Sequence, residues 1–325
     1  MELYDFAFAE KLEKMIASYR GRDFLSMNDL TGEEIEEVLD LASELKIRQK
    51  KGISTPILKG KTLAMIFSKN STRTRVSFEV GMVQLGGYPL FITATDSQLS
   101  RGEPIADTAR VLSRMVDGIM IRTYSHSEVE ELAYYADVPV INGLTDYEHP
   151  CQIMADLLTI KEHKGQLRGL KVAWVGDGNN VCHSLMIGAA KVGMEVAVAT
   201  PPGYEPDQKV SLIAQKETSR WGTKLLLTHD PVEAVTGADV VVTDVWASMG
   251  QEAESAERVK VFEPYQVNGE LVSHAKQDFI FLHCLPAHRG EEVTAEVIDG
   301  EHSVVFAEAE NRLHAQKAIL TLLLG

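Results

Sequence analysis

Two successive series of short apolar runs, each run followed by an amphipathic stretch, constrain this chain more than any other feature of its sequence. In the first series strands are expected at Thr62–Phe67, Tyr88–Ile92, Gly118–Arg122 and Val138–Asn142. Helices are expected between them, at Val76–Leu85, Ile105–Val116 and Ser127–Ala136. The turn Gly165-Gln-Leu-Arg-Gly169 separates this series from the second. There, strands are expected at Val172–Val175, Glu195–Ala199, Lys224–Leu227, Asp239–Thr243 and Phe279–Leu282. Their helices are Val181–Val192, Asp207–Trp221 and Val232–Thr236, and residues 254–277 read as mainly helical. Val304–Phe306 reads as a last short strand and Glu310–Leu324 as a closing helix. Strands that alternate with helices predict the α/β class with doubly wound parallel sheets. A length of 325 residues accommodates two such domains. In sheets of this kind ligands bind beyond the carboxyl ends of the strands.

The most polar strand-to-helix handover is Ser68-Lys-Asn-Ser-Thr-Arg-Thr-Arg75. Backbone N–H groups at a helix start lack intrahelical partners, and the dipole there is positive. Ser71, Thr72 and Thr74 add hydroxyls; Arg73 and Arg75 add guanidinium groups. Together they form a cradle for a phosphate on a small substrate. A plain helix cap accounts for one of these hydroxyls but not for five donor side chains in a row.

The net charge of −15 argues against a nucleic-acid or anionic-membrane surface, so a local arginine cluster points to a small anionic ligand. Cys151, Cys182 and Cys284 are too scattered for a disulfide framework, and a reducing, cytoplasmic compartment is expected. The first 20 residues contain Glu2, Asp5, Glu10 and Glu13, unlike an acid-poor transit peptide. They read as a short amphipathic helix, either docked on a partner subunit or partly disordered. Thr31-Gly-Glu-Glu34 is a capping box for a structural helix whose apolar face is Ile35, Val38, Leu39, Ala42 and Leu45.

Four further segments carry chemistry. Gly176-Asp-Gly178-Asn-Asn follows a strand and opens a helix, but Val181 stands at the third glycine position of a dinucleotide fingerprint. The next strand also lacks a ribose-binding carboxylate. The amides of Asn179 and Asn180 suit a carboxylate ligand equally well. Asp244-Val-Trp-Ala-Ser248-Met-Gly250 offers a carboxylate for an ammonium, or else a simple turn. In His283-Cys284-Leu-Pro-Ala-His288, adjacent His and Cys argue against a metal site, because one of them should point away. Cys284 is a nucleophile or a buried small apolar residue. His149-Pro150 ends a strand loop, and Gln152 can offer an amide oxygen to a substrate N–H. No metal and no cofactor are called for.

Ser71-Thr-Arg-Thr-Arg75, His149-Pro-Cys-Gln152, the 244–250 loop and His283-Cys-Leu-Pro286 occur in that order, and together they resemble the ornithine branch of the carbamoyltransferases. The resemblance runs from about Arg22 to the end. It implies transfer of a carbamoyl group from carbamoyl phosphate to the δ-amine of L-ornithine, without nucleic acid or membrane, in a homotrimer or an assembly of trimers. It implies two domains with the substrate site in the cleft between them. Residues 1–145 with the helix 308–325 would bind carbamoyl phosphate, and residues 146–307 ornithine. Ser71, Thr72, Arg73, Thr74 and Arg122 would hold the phosphate, and Gln98 would reach that of the neighbouring subunit. His149, Arg122, Thr74 and Arg312 would surround the carbamoyl oxygen. Gln152 and the backbone carbonyls of Cys284 and Leu285 would accept from the carbamoyl NH2. Asn180, Asp244, Ser248 and Met249 would bind the α-carboxylate and α-ammonium of ornithine. Cys284 would lie near the reacting amine, and the Leu285–Pro286 bond would be cis. Arg75 would brace its helix against Glu79. Aspartate or putrescine remains an alternative acceptor, and a nicotinamide dehydrogenase or a non-catalytic regulatory relative remains an alternative class.

Overall fold

The computed structural model describes residues 2–247 and 255–325. In chain order its elements begin with α1 (Glu2–Tyr19), α2 (Gly32–Lys50), β1 (Thr62–Phe67), α3 (Thr72–Gln84), β2 (Tyr88–Thr93) and α4 (Ile105–Leu112). They continue with β3 (Gly118–Arg122), α5 (His126–Tyr135), β4 (Val140–Leu144), α6 (Pro150–Lys164), β5 (Lys171–Val175) and α7 (Asn180–Lys191). Next come β6 (Glu195–Ala199), α8 (Gln208–Trp221), β7 (Leu225–Thr228), α9 (Pro231–Val235) and β8 (Val240–Thr243). The last are α10 (Ser255–Phe262), α11 (Gly269–Val272), β9 (Ile280–His283), α12 (Ala295–Ile298) and α13 (Val305–Leu324). The chain forms two compact units: Met1–Asp29, Glu37–Cys151 and Arg312–Gly325 in the first, Leu30–Glu36 and Gln152–Asn311 in the second.

The first unit holds a four-stranded sheet of order β2-β1-β3-β4, and every pairing is parallel. β3 and β4 are buried along their whole length and β1 after its first residue, as parallel strands covered on both faces must be. Phe67 is in register with Arg122, and Ser68 N–H donates to the Arg122 carbonyl at 2.8 Å. The polar octet therefore leaves the sheet beside the end of β3. Chain order reverses between β1 and β3, which is the switch point where such sheets leave a crevice.

The second unit holds a five-stranded parallel sheet of order β7-β6-β5-β8-β9. Its switch point lies between β5 and β8. Thr243 is in register with His283, so Asp244 and Cys284 leave neighbouring strands side by side. The fold is the doubly wound two-domain α/β architecture that the alternation predicts.

Local rules account for most boundaries. In the capping box Thr31 N–H donates to Glu34 Oε2 at 2.8 Å, and Glu34 N–H donates to Thr31 Oγ1 at 3.2 Å. Ile35, Val38, Leu39, Ala42 and Leu45 are all buried. β4 starts after Pro139, which has no N–H to donate, two residues later than the apolar run suggests. α1 packs within the first unit, with Leu12 and Tyr19 buried and the Arg48 guanidinium 3.9 Å from the Phe8 ring centroid. One expectation fails. Val304–Phe306 is not a strand: apart from a single bridge between Ser303 and Phe281, the chain enters α13 at Val305, five residues earlier than expected. A three-residue apolar run has too little periodicity to separate strand from helix. Here Val305 is buried and Phe306 exposed, and Glu308 lies buried on the same helix.

Candidate active site

In the first unit α3 begins at Thr72 rather than Val76, so the cradle is the helix's own first turn. Ser71 is the N-cap, and its Oγ accepts from Thr74 N–H at 3.2 Å. Thr72, Arg73 and Thr74 thus begin a helix whose dipole favours an anion there. The Thr74 side chain is buried between two cations. Its Oγ1 is 3.5 Å from Arg122 Nη1 and 3.1 Å from Arg312 Nη2. With its amide oxygen turned toward Arg312, Gln316 accepts from Nη2 and Nε at 3.2 Å and holds that guanidinium. His149 is buried in the same unit, and its pKa is held well below 6.5, first by burial and then by Arg312, Arg122 and Arg73. A neutral imidazole among three guanidinium groups can donate an N–H but does not act as an acid near pH 7.

Two other cations of the octet are already engaged. Lys69 pairs with Asp146 and lies 4.2 Å from the Tyr124 ring centroid. Arg75 donates to Glu79 at 2.9 Å and stacks 3.7 Å from the Phe91 centroid, so it braces α3 as its i,i+4 spacing implies. Gln98 stands exposed in a short 3-10 helix, Gln98–Arg101.

In the second unit the ends of β5, β8 and β9 supply a different chemistry. Asn179 caps α7 through Oδ1 and donates from Nδ2 to Asp244 Oδ2 at 2.8 Å. Asp244 Oδ1 accepts from Val245 N–H at 2.8 Å and from the Cys284 thiol at 3.1 Å. Asn180 opens α7, and its Oδ1 accepts from Val181 N–H at 3.0 Å. Burial, the Asp244 carboxylate beside it, and then Glu308 and Asp156 push the Cys284 thiol well above its ordinary value of 9.0. A thiol held protonated by a neighbouring carboxylate is a poor nucleophile. Cys284→Ser is therefore expected to keep at least about a tenth of turnover, because the hydroxyl can still donate to Asp244. Complete loss together with a trapped carbamoyl-thiol adduct, sought by intact-protein mass spectrometry, would show that the sulfur attacks. Cys151 and Cys182 are fully buried, which raises both thiols, Cys151 to about 12.

Gln152 is oriented by two carboxylates. Its Nε2 donates to Asp156 Oδ1 at 2.8 Å and to Glu308 Oε1 at 2.9 Å. Glu308 Oε2 also accepts from His283 N–H at 2.8 Å. The Leu285–Pro286 peptide is cis, and Leu285 takes a left-handed φ of 57°. Ser248, Met249 and Gly250 lie outside the described residues.

Two sequence arguments change here. Adjacent His283 and Cys284 do not diverge: with Asp244 they bring ligand-type atoms within 4.8 Å of one another. Both His283 nitrogens are nonetheless engaged. Nδ1 accepts from Leu285 N–H at 2.9 Å, so the ring proton sits on Nε2 and is donated to Glu292 Oε1 at 3.2 Å. The glycine-rich turn has a local reason. A Cβ on Gly178 would lie 2.4 Å from Pro206 N and 2.6 Å from the Tyr204 carbonyl, and Gly178 N–H already donates to that carbonyl. The close backbone approach is made to the chain's own loop rather than to a pyrophosphate, which speaks against the dinucleotide reading. Asp177 is ion-paired with Arg258, and burial raises its carboxyl to about 6.

The orienting residues Asn179, Asp156, Glu308, Gln316 and Glu292 were not singled out as site residues from the sequence, although Asn179 was weighed as a ligand. The i,i+4 spacings of Gln152 with Asp156 and of Arg312 with Gln316 were the available signals.

Two parallel-sheet units, one with an arginine-rich helix start suited to an anion and one with an anchored carboxylate suited to a cation, are the architecture of a two-domain α/β enzyme. Residues 22–162 match the aspartate/ornithine carbamoyltransferase carbamoyl-P binding domain, and residues 168–323 match the Asp/Orn binding domain of the same family. The chain belongs to the aspartate/ornithine carbamoyltransferase family. It is 63% identical to the ornithine carbamoyltransferase of Pyrococcus horikoshii over 311 residues, which covers 96% of this chain and 98% of that protein. With the Bacillus subtilis ornithine carbamoyltransferase it shares 60% identity over 94% of this chain and 95% of the relative. The solved ornithine carbamoyltransferase of Pyrococcus furiosus superposes with a TM-score of 0.92 at 62% identity, over 94% of this chain and 98% of that one.

Proposed function

We propose that the enzyme transfers the carbamoyl group of carbamoyl phosphate to the δ-amine of L-ornithine, giving L-citrulline and phosphate. The observation that carries this reading is the group of Arg73, Arg122 and Arg312 acting on buried His149; of these residues Arg73, Arg122 and His149 lie in the segment matched to a carbamoyl-P binding domain. The ornithine acceptor is supported by the near full-length identity to relatives that bear that name.

In this reading the amine lone pair attacks the carbamoyl carbon, a C–N bond forms, the C–O bond to phosphate breaks, and the amine's surplus proton leaves with the phosphate. Ser71, Thr72, Arg73, Thr74 and Arg122 hold the departing phosphate, and guanidinium groups suit it because each offers paired donors. His149 and Arg312 donate to the carbamoyl oxygen as negative charge grows on it. Gln152 and the carbonyls of Cys284 and Leu285 orient the NH2 group. Asp244 takes the α-ammonium, with Asn180, Ser248 and Met249 completing the amino-acid contacts. The protein contributes position and charge stabilisation rather than a covalent intermediate.

The same reading extends to a homotrimer, or an assembly of trimers, in which exposed Gln98 reaches a neighbouring subunit, and to the cytoplasm. Among the described residues no helix is long and apolar enough to cross a membrane. A role in arginine biosynthesis is in keeping with the name of the Pyrococcus furiosus relative, an anabolic ornithine carbamoyltransferase.

The test is to offer carbamoyl phosphate with ornithine, aspartate or putrescine between pH 6 and 9 and to measure each carbamoylated product. Ornithine is the expected acceptor. Aspartate would need a second cationic clamp, and putrescine has no α-carboxylate for Asn180. The attacking amine must be neutral, and an alkyl ammonium has a pKa of about 10.4, so the rate should climb with pH across that range. A flat profile sinks the amine-attack step, and citrulline formation no faster than the other products sinks the acceptor.

A further inference from the structure

Beyond the substrate-binding edge of the second unit, the turn after β9 gathers three ligand-type side chains: His288, Glu291 and Glu292. Their donor atoms lie within 4.8 Å of one another. His288 Nδ1 is 3.9 Å from Glu291 Oε2 and 3.8 Å from Glu292 Oε2. The His288 and Glu291 side chains are about half exposed, and Glu292 is fully buried.

The informative atom is Glu292 Oε2. The other oxygen of this carboxylate is in use, since Oε1 accepts from His283 Nε2 at 3.2 Å and from His288 N–H at 2.6 Å. Oε2 is buried without a hydrogen-bond partner. A buried carboxylate oxygen left without a donor is costly. The 3.8 Å to His288 is too long for a hydrogen bond. It is close to the separation of two atoms that share one small ion. Ligands about 2.1 Å from a tetrahedral cation lie about 3.4 Å apart, so the two separations from His288 need to close by only about half an ångström.

We propose that His288, Glu291 and Glu292 form an open binding site for a divalent transition cation of the Zn2+ or Co2+ type. One imidazole nitrogen and two carboxylate oxygens match the ligand preference of these borderline ions. The exposed side of His288 and Glu291 leaves a fourth position to water and gives the ion a way in. Glu292 ties the site to the chain beside it. Through Oε1 it holds His283, and His283 Nδ1 in turn accepts from Leu285 N–H at 2.9 Å. A cation on Oε2 therefore braces the segment that carries the Cys284 and Leu285 carbonyls; this consequence, unlike the site itself, rests on the function proposed above. A protonated His288 paired with the same two carboxylates is the competing account, and it predicts no metal binding.

Co2+ titration of the full-length protein, read by visible absorption, separates these accounts. The background is Cys284→Ser, which removes the thiol of the Asp244, His283 and Cys284 cluster. One Co2+ per chain is expected, displaceable by Zn2+, with no thiolate charge-transfer band. His288→Ala and Glu291→Gln, both at half-exposed positions, should each weaken binding by about 30-fold. Zn2+ should raise the unfolding midpoint of the wild-type protein but not that of His288→Ala. Binding that is unchanged in both variants, binding that requires Cys284, or the absence of binding up to about 1 mM of either ion overturns the proposal.

Discussion

Replacing Arg73 by glycine lowers turnover by about 10² or more, on the scale of losing one preorganised donor to a developing charge. Arg75→Ala stays within about threefold of wild type, because it loses a partly exposed i,i+4 ion pair and a stack on Phe91 that both brace α3. The contrast matters because the two arginines stand two residues apart in the first turn of one helix. Arg75 is engaged by Glu79 and the Phe91 ring. Arg73 instead acts on buried His149 together with Arg122 and Arg312. Steady-state kinetics with carbamoyl phosphate varied would measure both. Near-normal turnover in Arg73→Gly, or an equal loss in Arg75→Ala, would remove Arg73 from the phosphate site.

Asp244→Asn lowers kcat/KM for ornithine by about 10² or more, as expected when one partner of a desolvated charge pair is neutralised. The change is nearly isosteric, but the new NH2 must face a donor, either Asn179 Nδ2 or the pair Val245 N–H and Cys284 thiol, so the unfolding midpoint should fall by the cost of a broken buried hydrogen bond, about 1–3 kcal/mol. The split between parameters is diagnostic. KM for ornithine should rise sharply while the affinity for carbamoyl phosphate, measured without the second substrate, is unchanged. If ornithine kinetics stay normal, Asp244 is only the partner that anchors Asn179 at the start of α7.

Much of the fold was legible because its signals are local. A capping box and runs of buried apolar residues each act within a few positions, and the strands fall where those runs lie, with β4 starting two residues late, after Pro139. The miss at Val304–Phe306 has the same origin: three apolar residues carry no period, and only burial of Val305 and Glu308 shows that the helix has already begun. The shift of α3 to Thr72 is comparable. The hydroxyl-rich octet reads as loop by composition, whereas the Ser71 cap turns most of it into the first turn.

The candidate site divides along the same line. The sequence by itself determined the order of the strands' polar exits, the hydroxyl-rich stretch from Ser71 to Thr74 and the pairing of Arg75 with Glu79. All of these depend on neighbours within one turn. Tertiary structure alone decided the chemical state of the groups. Cys284 is kept a thiol by Asp244, forty positions away along the chain. Gln152 has its amide oriented by Glu308, 156 positions away. His149 has its pKa lowered by burial and by arginines on three other elements of its unit, and the Gly178 turn is closed by the chain's own 204–206 loop. A proton's position or an amide's orientation is set by the charges and dipoles within a few ångströms. Those neighbours are chosen by packing between distant segments, which no local pattern in the chain encodes.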